Sequence, residues 1–139
     1  MVRLGKTPAV VQKEAPGFIG NRLQAALLRE AWSIVERGIA APEDVDIVVK
    51  NGFGRRLSIA GPFEVFDLAG LDIAFAVGHY LLPHIESSTE IPTILSEKVE
   101  NNDLGVKTGK GFYEWTPESA GELKLKIANA LINIAQWSK

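Results

Sequence analysis

The chain has 139 residues, which is enough for one domain with its own core, and its composition of 46% apolar and 23% charged residues is globular. The 15 basic and 17 acidic side chains are well mixed and give a formal net charge of −2, so no basic surface for nucleic acid or an anionic membrane is expected. Cysteine is absent, which excludes disulfides, and no apolar run approaches the roughly 18 residues of a membrane span, so we expect a cytoplasmic protein.

The first 15 residues differ from the rest of the chain. Residues 9–11 form a short β-type run, Ala-Val-Val, flanked by turn-forming and charged residues. A lone strand leaves its backbone N–H and C=O groups without hydrogen-bond partners. We therefore predict that this segment either pairs with a sheet outside the chain or lies as an arm on the domain surface.

From Pro16 onward the apolar residues recur at helical intervals, and the periodicity predicts six helices. The first covers about residues 18–37 and stops at Gly38. Pro42 opens the second helix at its first position, and Asn51-Gly52 ends it. The third begins at Gly61-Pro62 and continues through Leu68.

The last three predicted helices follow a break at Gly70. Asp72 is expected to cap the fourth, which runs into Leu82. The fifth is a short amphipathic helix around Leu95, and Thr116-Pro117 caps and opens the sixth. Residues 52–61 and 105–111 are interpreted as ordered glycine-rich loops. The prediction is an all-α domain with an orphan strand or arm at its N-terminus.

Three motifs together carry a family resemblance. They are PGFIGNRL at residues 16–23, GPFEVFDLAGLD at 61–72 and GVKTGKGFYEW at 105–115. Their order and spacing resemble the C-terminal domain of L-3-hydroxyacyl-CoA dehydrogenases, as in 3-hydroxybutyryl-CoA dehydrogenase. The resemblance implies a helical domain of the 6-phosphogluconate-dehydrogenase-like type over residues 16–139. It also implies that residues 1–15 hold the last strand of a missing nucleotide-binding domain and a linker, with Met1 directly before that strand.

The resemblance implies an oxidoreductase that oxidises a 3-hydroxyacyl-CoA with NAD, in fatty-acid β-oxidation or butanoate metabolism. In the family the catalytic histidine and glutamate lie in the nucleotide-binding domain, which also binds NAD. This chain has no G-x-G-x-x-G after a strand, because residues 52–57 (GFGRRL) fail the last position. We therefore expect no cofactor site in this chain and no activity from the chain alone.

Asn21 is the one active-site residue that the resemblance transfers to this chain. In the family's Gly-Phe-Ile-x-Asn-Arg motif this asparagine faces the substrate and the catalytic histidine across the domain cleft. An amide near a helix N-terminus can donate a hydrogen bond to a carbonyl oxygen, and the helix dipole favours negative charge there. Taken without the motif, Asn21 is an ordinary polar residue in the first turn of a helix. Arg22 is interpreted as an ion-pair or surface residue.

The other polar candidates are interpreted structurally. Glu64 is expected in the first turn of its helix, and Asp67 shares that helix face without any sign of acid–base chemistry. His79 and His84 are five residues apart, which is poor spacing for two metal ligands on one helix face, so we expect partly exposed side chains and no metal site.

Two glycine-rich segments superficially suggest anion binding. Residues 105–111 have too few residues between glycines for a phosphate-binding loop, so they are interpreted as a tight loop leading to three aromatic packing residues, Phe112, Tyr113 and Trp115. Arg55-Arg56 is interpreted as a solvated pair rather than a contact to a CoA phosphate.

Three functions stay open at this point. In the first, the chain is the C-terminal half of a 3-hydroxyacyl-CoA dehydrogenase, a homodimer that forms part of the acyl-CoA cleft with its nucleotide-binding domain. In the second, it is a non-catalytic helical scaffold, with Leu123, Ile127, Leu131 and Ile134 of the last helix packing on another subunit. In the third, it belongs to a sister dehydrogenase of a sugar acid or another hydroxy acid.

Overall fold

A computed structural model describes residues 8–137, with backbone alone for residues 136 and 137. Seven α-helices occur in this range: α1 (Gly20–Glu36), α2 (Pro42–Asn51), α3 (Phe53–Arg56), α4 (Pro62–Ala69), α5 (Leu71–Leu81), α6 (Thr93–Glu100) and α7 (Pro117–Trp137). No extended strand forms among these residues, so the all-α prediction is confirmed. Residues 9–11 are exposed and irregular, and residues 1–7 of the predicted orphan strand lie outside the described range.

Local chemistry explains most helix ends. Gly38 follows α1 with a φ of 67°, a left-handed conformation that favours glycine. Pro42 stands at the first position of α2, with Glu43 and Asp44 in its first turn. The hydroxyl oxygen of Thr116 accepts a hydrogen bond from the backbone N–H of Ser119 at 3.1 Å, which caps the start of α7 as predicted.

Two details of the prediction were wrong. Asp72 does not cap α5, because the helix already begins at Leu71 and Gly70, with a φ of 103°, occupies the capping position. The segment between residues 52 and 61 is not wholly a loop, because it contains α3, a single turn whose Arg55 side chain donates to the carbonyl oxygen of Lys50 and to Asn51 Oδ1.

The helices make few mutual contacts. α1 packs against α2 and α6, α2 against α3, and α4 against α5; among the described residues no other pair of helices is in contact. Ser33 and Ala120 are the only described residues that are buried. The accessible surface is 11724 Å², whereas a compact monomer of this mass exposes about 7,100 Å². The chain therefore leaves its apolar faces open instead of closing them into the core that its length allows.

We call α4 and α5 together the apolar arm. Phe63 and Leu68 are each 86% exposed and Phe75 is 76% exposed, although all three are large apolar residues. A second open face lies between α1 and α2, where Leu27, Ile34, Val45 and Val48 line an apolar groove of about 440 Å³. No helix within residues 8–137 has both the length and the apolar composition needed to cross a membrane.

Candidate active site

The turn before α1 sets the position of Asn21. Gly17 has a φ of 79° and Phe18 a φ of 48°, so the chain reverses sharply before the helix. The Phe18 N–H donates to the carbonyl oxygen of Ala15 at 3.0 Å, which closes the turn. A β-carbon at Gly17 would lie 3.3 Å from Cγ of Arg22, so the absence of a side chain at Gly17 leaves room for that of Arg22. Asn21 then stands exposed in the first turn of α1.

Asn21 lines an open cavity of about 630 Å³, which we call the Asn21 cleft. On α1 the cleft is lined by Asn21, Ala25 and Arg29, which recur every four residues and therefore share one helix face. The small side chain of Ala25 leaves the middle of this face open. The remaining lining residues are Pro16, Gly17, Arg22, Ala26, Trp32 and residues 88–92.

Carboxylates hold the far wall of the cleft against α1. Oε2 of Glu30 accepts a hydrogen bond from the Glu86 backbone N–H at 2.6 Å. The Glu86 carboxylate in turn accepts from the buried Ser33 hydroxyl at 3.4 Å and from the Ser88 N–H at 2.6 Å. Further along, Oε1 of Glu36 accepts from the Ile94 N–H at 3.0 Å. Two glutamates, Glu30 and Glu86, thus satisfy backbone donors of the irregular segment before α6, and Glu36 satisfies one in the first turn of α6.

The pKa of Glu86 reflects this role. The hydrogen bond from the Ser88 backbone N–H is the largest cause that lowers its pKa, and the Ser87 N–H, the Ser33 hydroxyl and the charge of Arg29 act in the same direction. Burial opposes them. Glu86 is therefore held as a carboxylate that positions the wall, and nothing about it resembles a general acid.

Sequence reasoning missed the residues that shape the cleft opposite Asn21. Arg29, Glu30, Ser33 and Glu86 were not singled out, because their partners lie more than 50 residues away in the chain. One signal was available: Ser33 is a small polar residue within the apolar stripe of α1, and a polar group in that place needs a partner.

Arg22 lines the cleft and donates to the carbonyl oxygen of Pro16 at 3.4 Å, whereas Glu64, His79 and His84 lie outside it. Glu64 accepts a hydrogen bond from the Gly61 N–H at 2.6 Å, which confirms its structural role at the start of α4. His79 and His84 are exposed, and their rings lie 6.4 Å from that of Phe75 and 5.9 Å from that of Tyr80, respectively. Within residues 8–137, no three His, Asp or Glu side chains are placed to hold a metal ion.

The loop at residues 105–111 is tightly built. The Gly105 N–H donates to the Lys110 carbonyl oxygen at 2.7 Å, and the Gly111 N–H donates to that of Tyr113 at 2.9 Å. Phe112 and Tyr113, both half-buried, lie against α1 and α2, and the Tyr113 hydroxyl donates to Asp46 at 3.1 Å. The glycines thus serve a close backbone turn, which agrees with the interpretation of a tight loop.

Comparison with known proteins finds a dehydrogenase family and individual dehydrogenases among the similar sequences. Residues 17–115 match the model of the 3-hydroxyacyl-CoA dehydrogenase C-terminal domain. The chain is 37% identical over 131 residues, 94% of its length, to 5-formyl-3-hydroxy-2-methylpyridine 4-carboxylate 5-dehydrogenase of Mesorhizobium japonicum, of which it covers 42%. It is 42% identical over 114 residues, 81% of its length, to the human mitochondrial hydroxyacyl-coenzyme A dehydrogenase, of which it covers 35%.

A solved structure is also similar. The crystal structure of a 5-formyl-3-hydroxy-2-methylpyridine 4-carboxylic acid 5-dehydrogenase, described as an NAD⁺-dependent dismutase, superposes with a TM-score of 0.88 at 38% identity. The match covers 91% of this chain and 41% of that one. The chain thus spans about two fifths of the length of these relatives or less. The open arrangement of its helices is shared with a protein whose structure is known from experiment.

Proposed function

We propose that this chain, which belongs to the family of 3-hydroxyacyl-CoA dehydrogenase C-terminal domains, acts as the substrate-side half of an NAD-dependent dehydrogenase. The observation that carries the proposal is the place of Asn21, on the wall of a cleft of about 630 Å³ within the residues that match the family. There its amide would donate a hydrogen bond to the oxygen on the reacting carbon, where negative charge develops as the hydroxyl loses its proton.

The remaining chemistry is assigned to a nucleotide-binding domain outside this sequence. The described residues are helical and contain no strand followed by a glycine-rich turn and a helix, the unit that holds a dinucleotide. They therefore do not fit NAD. The general base is assigned to that same domain, so the chain alone should be inactive.

The substrate that we propose first is a 3-hydroxyacyl-CoA, which the enzyme would oxidise to the 3-ketoacyl-CoA in the cytoplasm, in fatty-acid β-oxidation or butanoate metabolism. Similarity to the human hydroxyacyl-CoA dehydrogenase supports it. A second candidate is a free acid, which the similarity to a pyridine-carboxylate dehydrogenase over 94% of the chain favours. A third, a non-catalytic scaffold, is suggested by α7, which contacts no other described helix and on which Leu123, Ile127 and Leu131 are exposed.

We also propose that the chain is a homodimer in which the apolar arm of one copy covers open apolar faces of the other. The excess of accessible surface and the exposure of Phe63, Leu68 and Phe75 support it. The apolar groove between α1 and α2 offers a receiving face of matching chemistry. Obligate homodimers commonly bury 2,000 Å² or more over both partners, and the excess here, about 4,600 Å² in each copy, is ample for such an interface.

The test is the oxidation of NADH with acetoacetyl-CoA, or the reduction of NAD⁺ with 5-formyl-3-hydroxy-2-methylpyridine 4-carboxylate, by the chain alone and after addition of a separately produced nucleotide-binding domain. We expect activity only in the mixture. Asn21→Ala should lower kcat/KM by about 100-fold, the usual cost of losing one donor to a developing oxyanion. Gln24→Ala is the control, because Gln24 is an exposed amide on α1 that does not line the cleft. Silence of a mixture of two folded halves with both substrates would contradict the dehydrogenase assignment and favour the scaffold.

A further inference from the structure

Trp32 stands between two cavities that flank α1. Within residues 8–137, it lines both the Asn21 cleft and a smaller cavity of about 160 Å³, and the two cavities have no other lining residue in common. We call the smaller one the Tyr113 cavity. Its other lining residues include Leu28, Ala31 and Val35 of α1, Val45 of α2, and Phe112 and Tyr113 after the glycine-rich loop.

The position of Trp32 on α1 makes its side chain a partition. Ala25 and Arg29 face the Asn21 cleft, and Leu28 and Val35 face the Tyr113 cavity. At about 100° per residue, Trp32 falls between these two faces of the helix. It is half-buried, and its large indole fills the space at this border. Replacing the indole with a small side chain would therefore join the two cavities.

Trp32 also lies at the end of the path that a substrate would follow from Asn21. It comes eleven residues after Asn21, close to three full turns, so the two share a face of α1 about 16 Å apart at the Cα atoms. A helical side chain covers the turn before its own Cα, so the indole leans back over the cleft toward Asn21. The lining of the cleft includes small and apolar residues, Ala25 and Ala26 on α1 and Ile91 and Pro92 on the far wall. A substrate whose reacting oxygen is at Asn21 can thus lay an apolar tail along α1 as far as Trp32.

We propose that Trp32 sets the length of the apolar tail that the substrate can carry. This inference rests on the proposed function, because it deepens the acyl-CoA assignment of the same cleft. With the indole in place, the tail stops at Trp32, and the substrates are short-chain 3-hydroxyacyl thioesters.

The Tyr113 cavity is the space that the indole keeps apart from the cleft. Its volume resembles that of cavities of about 150 Å³ that hold a benzene-sized group. Its Tyr113 hydroxyl already donates to Asp46 at 3.1 Å. An alkyl chain could therefore enter without leaving these two polar groups unpaired.

The first test measures which residues a bound tail reaches in the chain itself, without any turnover. Butanoyl-CoA and decanoyl-CoA share the CoA group and differ in tail length alone. In ¹H–¹⁵N NMR titrations of the unsubstituted chain, we expect both to shift amides of residues 21–32 and neither to shift those of Phe112 and Tyr113. In Trp32→Ala, decanoyl-CoA should shift Phe112 and Tyr113 as well, whereas butanoyl-CoA should not.

The second test uses the mixture with the nucleotide-binding domain and compares kcat/KM for 3-oxodecanoyl-CoA with that for acetoacetyl-CoA. Trp32→Ala should raise this ratio at least tenfold, because each methylene that gains cover adds a factor of about four. Trp32→Phe keeps a ring at the site and should raise the ratio by a smaller factor, which retains a test if Trp32→Ala does not fold. Leu23→Ala is the control and should leave the ratio unchanged, because Leu23 is exposed on α1 and lines neither cavity.

A double variant distinguishes a joined cavity from a loosened helix. Ala31 lines the Tyr113 cavity and not the Asn21 cleft, so Ala31→Leu in the Trp32→Ala background refills the opened space and should reverse most of the gain. Shifts at Phe112 in the unsubstituted chain, no such shifts in Trp32→Ala, or a gain that Ala31→Leu leaves intact would overturn the proposal. An active mixture whose ratio ignores Trp32 defeats this inference alone. A mixture that is silent with both substrates defeats the dehydrogenase assignment, and the NMR pattern of the chain then decides on Trp32.

Discussion

At the residue scale, Gly111 and Gly121 differ in whether the fold leaves room for a side chain at their positions. A β-carbon on Gly111 would lie 2.9 Å from Cα and 3.1 Å from the backbone nitrogen of Gly105, and backbone cannot swing aside. Gly121, within α7, has nothing within 4 Å of the same position. The first glycine is therefore required by a close approach of two chain segments, and the second is not required by sterics.

Gly111→Ala should lower the free energy of unfolding by about 1–3 kcal/mol, the usual cost of forcing a methyl group into packed structure. Gly121→Ala should raise it by about 0.5–1 kcal/mol, because alanine loses less backbone entropy in a helix. Urea denaturation followed by circular dichroism measures both variants. Equal destabilisation by the two substitutions would show that the contact between residues 105 and 111 is not the cause.

The lowered pKa of Glu86 predicts that the contribution of this carboxylate to stability changes only at acid pH. Its pKa is lowered from 4.5, chiefly by the Ser88 N–H, so the carboxylate is the form that the fold stabilises. The stabilisation is complete above pH 4.5 and is lost as the pH falls through the lower value of the folded protein. An NMR titration of the Ser88 amide should therefore give a midpoint below 4.5, and Glu86→Gln should remove it. A midpoint at or above 4.5 in the unsubstituted chain would contradict the arrangement.

At the scale of elements, the sequence predicts the helices better than their contacts. The bounds of α1, α2 and α4 follow from prolines and glycines whose preferences are local. Asp72 was wrongly predicted as the N-cap of α5 because both Gly70 and Asp72 can stand at a helix start. Gly70, with its positive φ, occupies the capping position, so the helix begins at Leu71. Asn21 could be found from its motif. The cleft could not, because the hydrogen bonds that build it join α1 to residues 53 to 59 positions later in the chain, a separation that no periodicity records.

The apolar arm allows a direct test of the proposed dimer. Phe75 is 76% exposed on α5, so Phe75→Asp should leave the helix intact. If the arm docks on a second copy, the substitution places a charge in an apolar interface and should convert the dimer to monomer, as size-exclusion chromatography with light scattering would show. Gln12→Asp is the control, since it adds the same charge at an exposed position outside the helices. An unchanged mass for Phe75→Asp would remove the arm from the interface.

At the scale of the whole molecule, the open arrangement predicts that stability depends on concentration. When apolar faces are covered only by association, unfolding and dissociation are one process. A tenfold increase in protein concentration should then raise the apparent free energy of unfolding by about 1.4 kcal/mol of dimer. Urea midpoints measured over a hundredfold range of concentration test this. A midpoint that does not move would mean that the chain is stable as an open monomer.

The carboxylate contacts between α1 and the cleft wall also bear on the order of events during synthesis. Glu30, Ser33 and Glu36 leave the ribosome first, and their partners Glu86 and Ile94 follow 53 to 58 residues later. At about 5–20 residues per second, that interval is on the order of 3–12 s. For this time α1 is complete but lacks the segment that forms its cleft, and its apolar stripe is open to chaperones. The wall that shapes the cleft is thus made after α1, and assembly of the site has to wait for it.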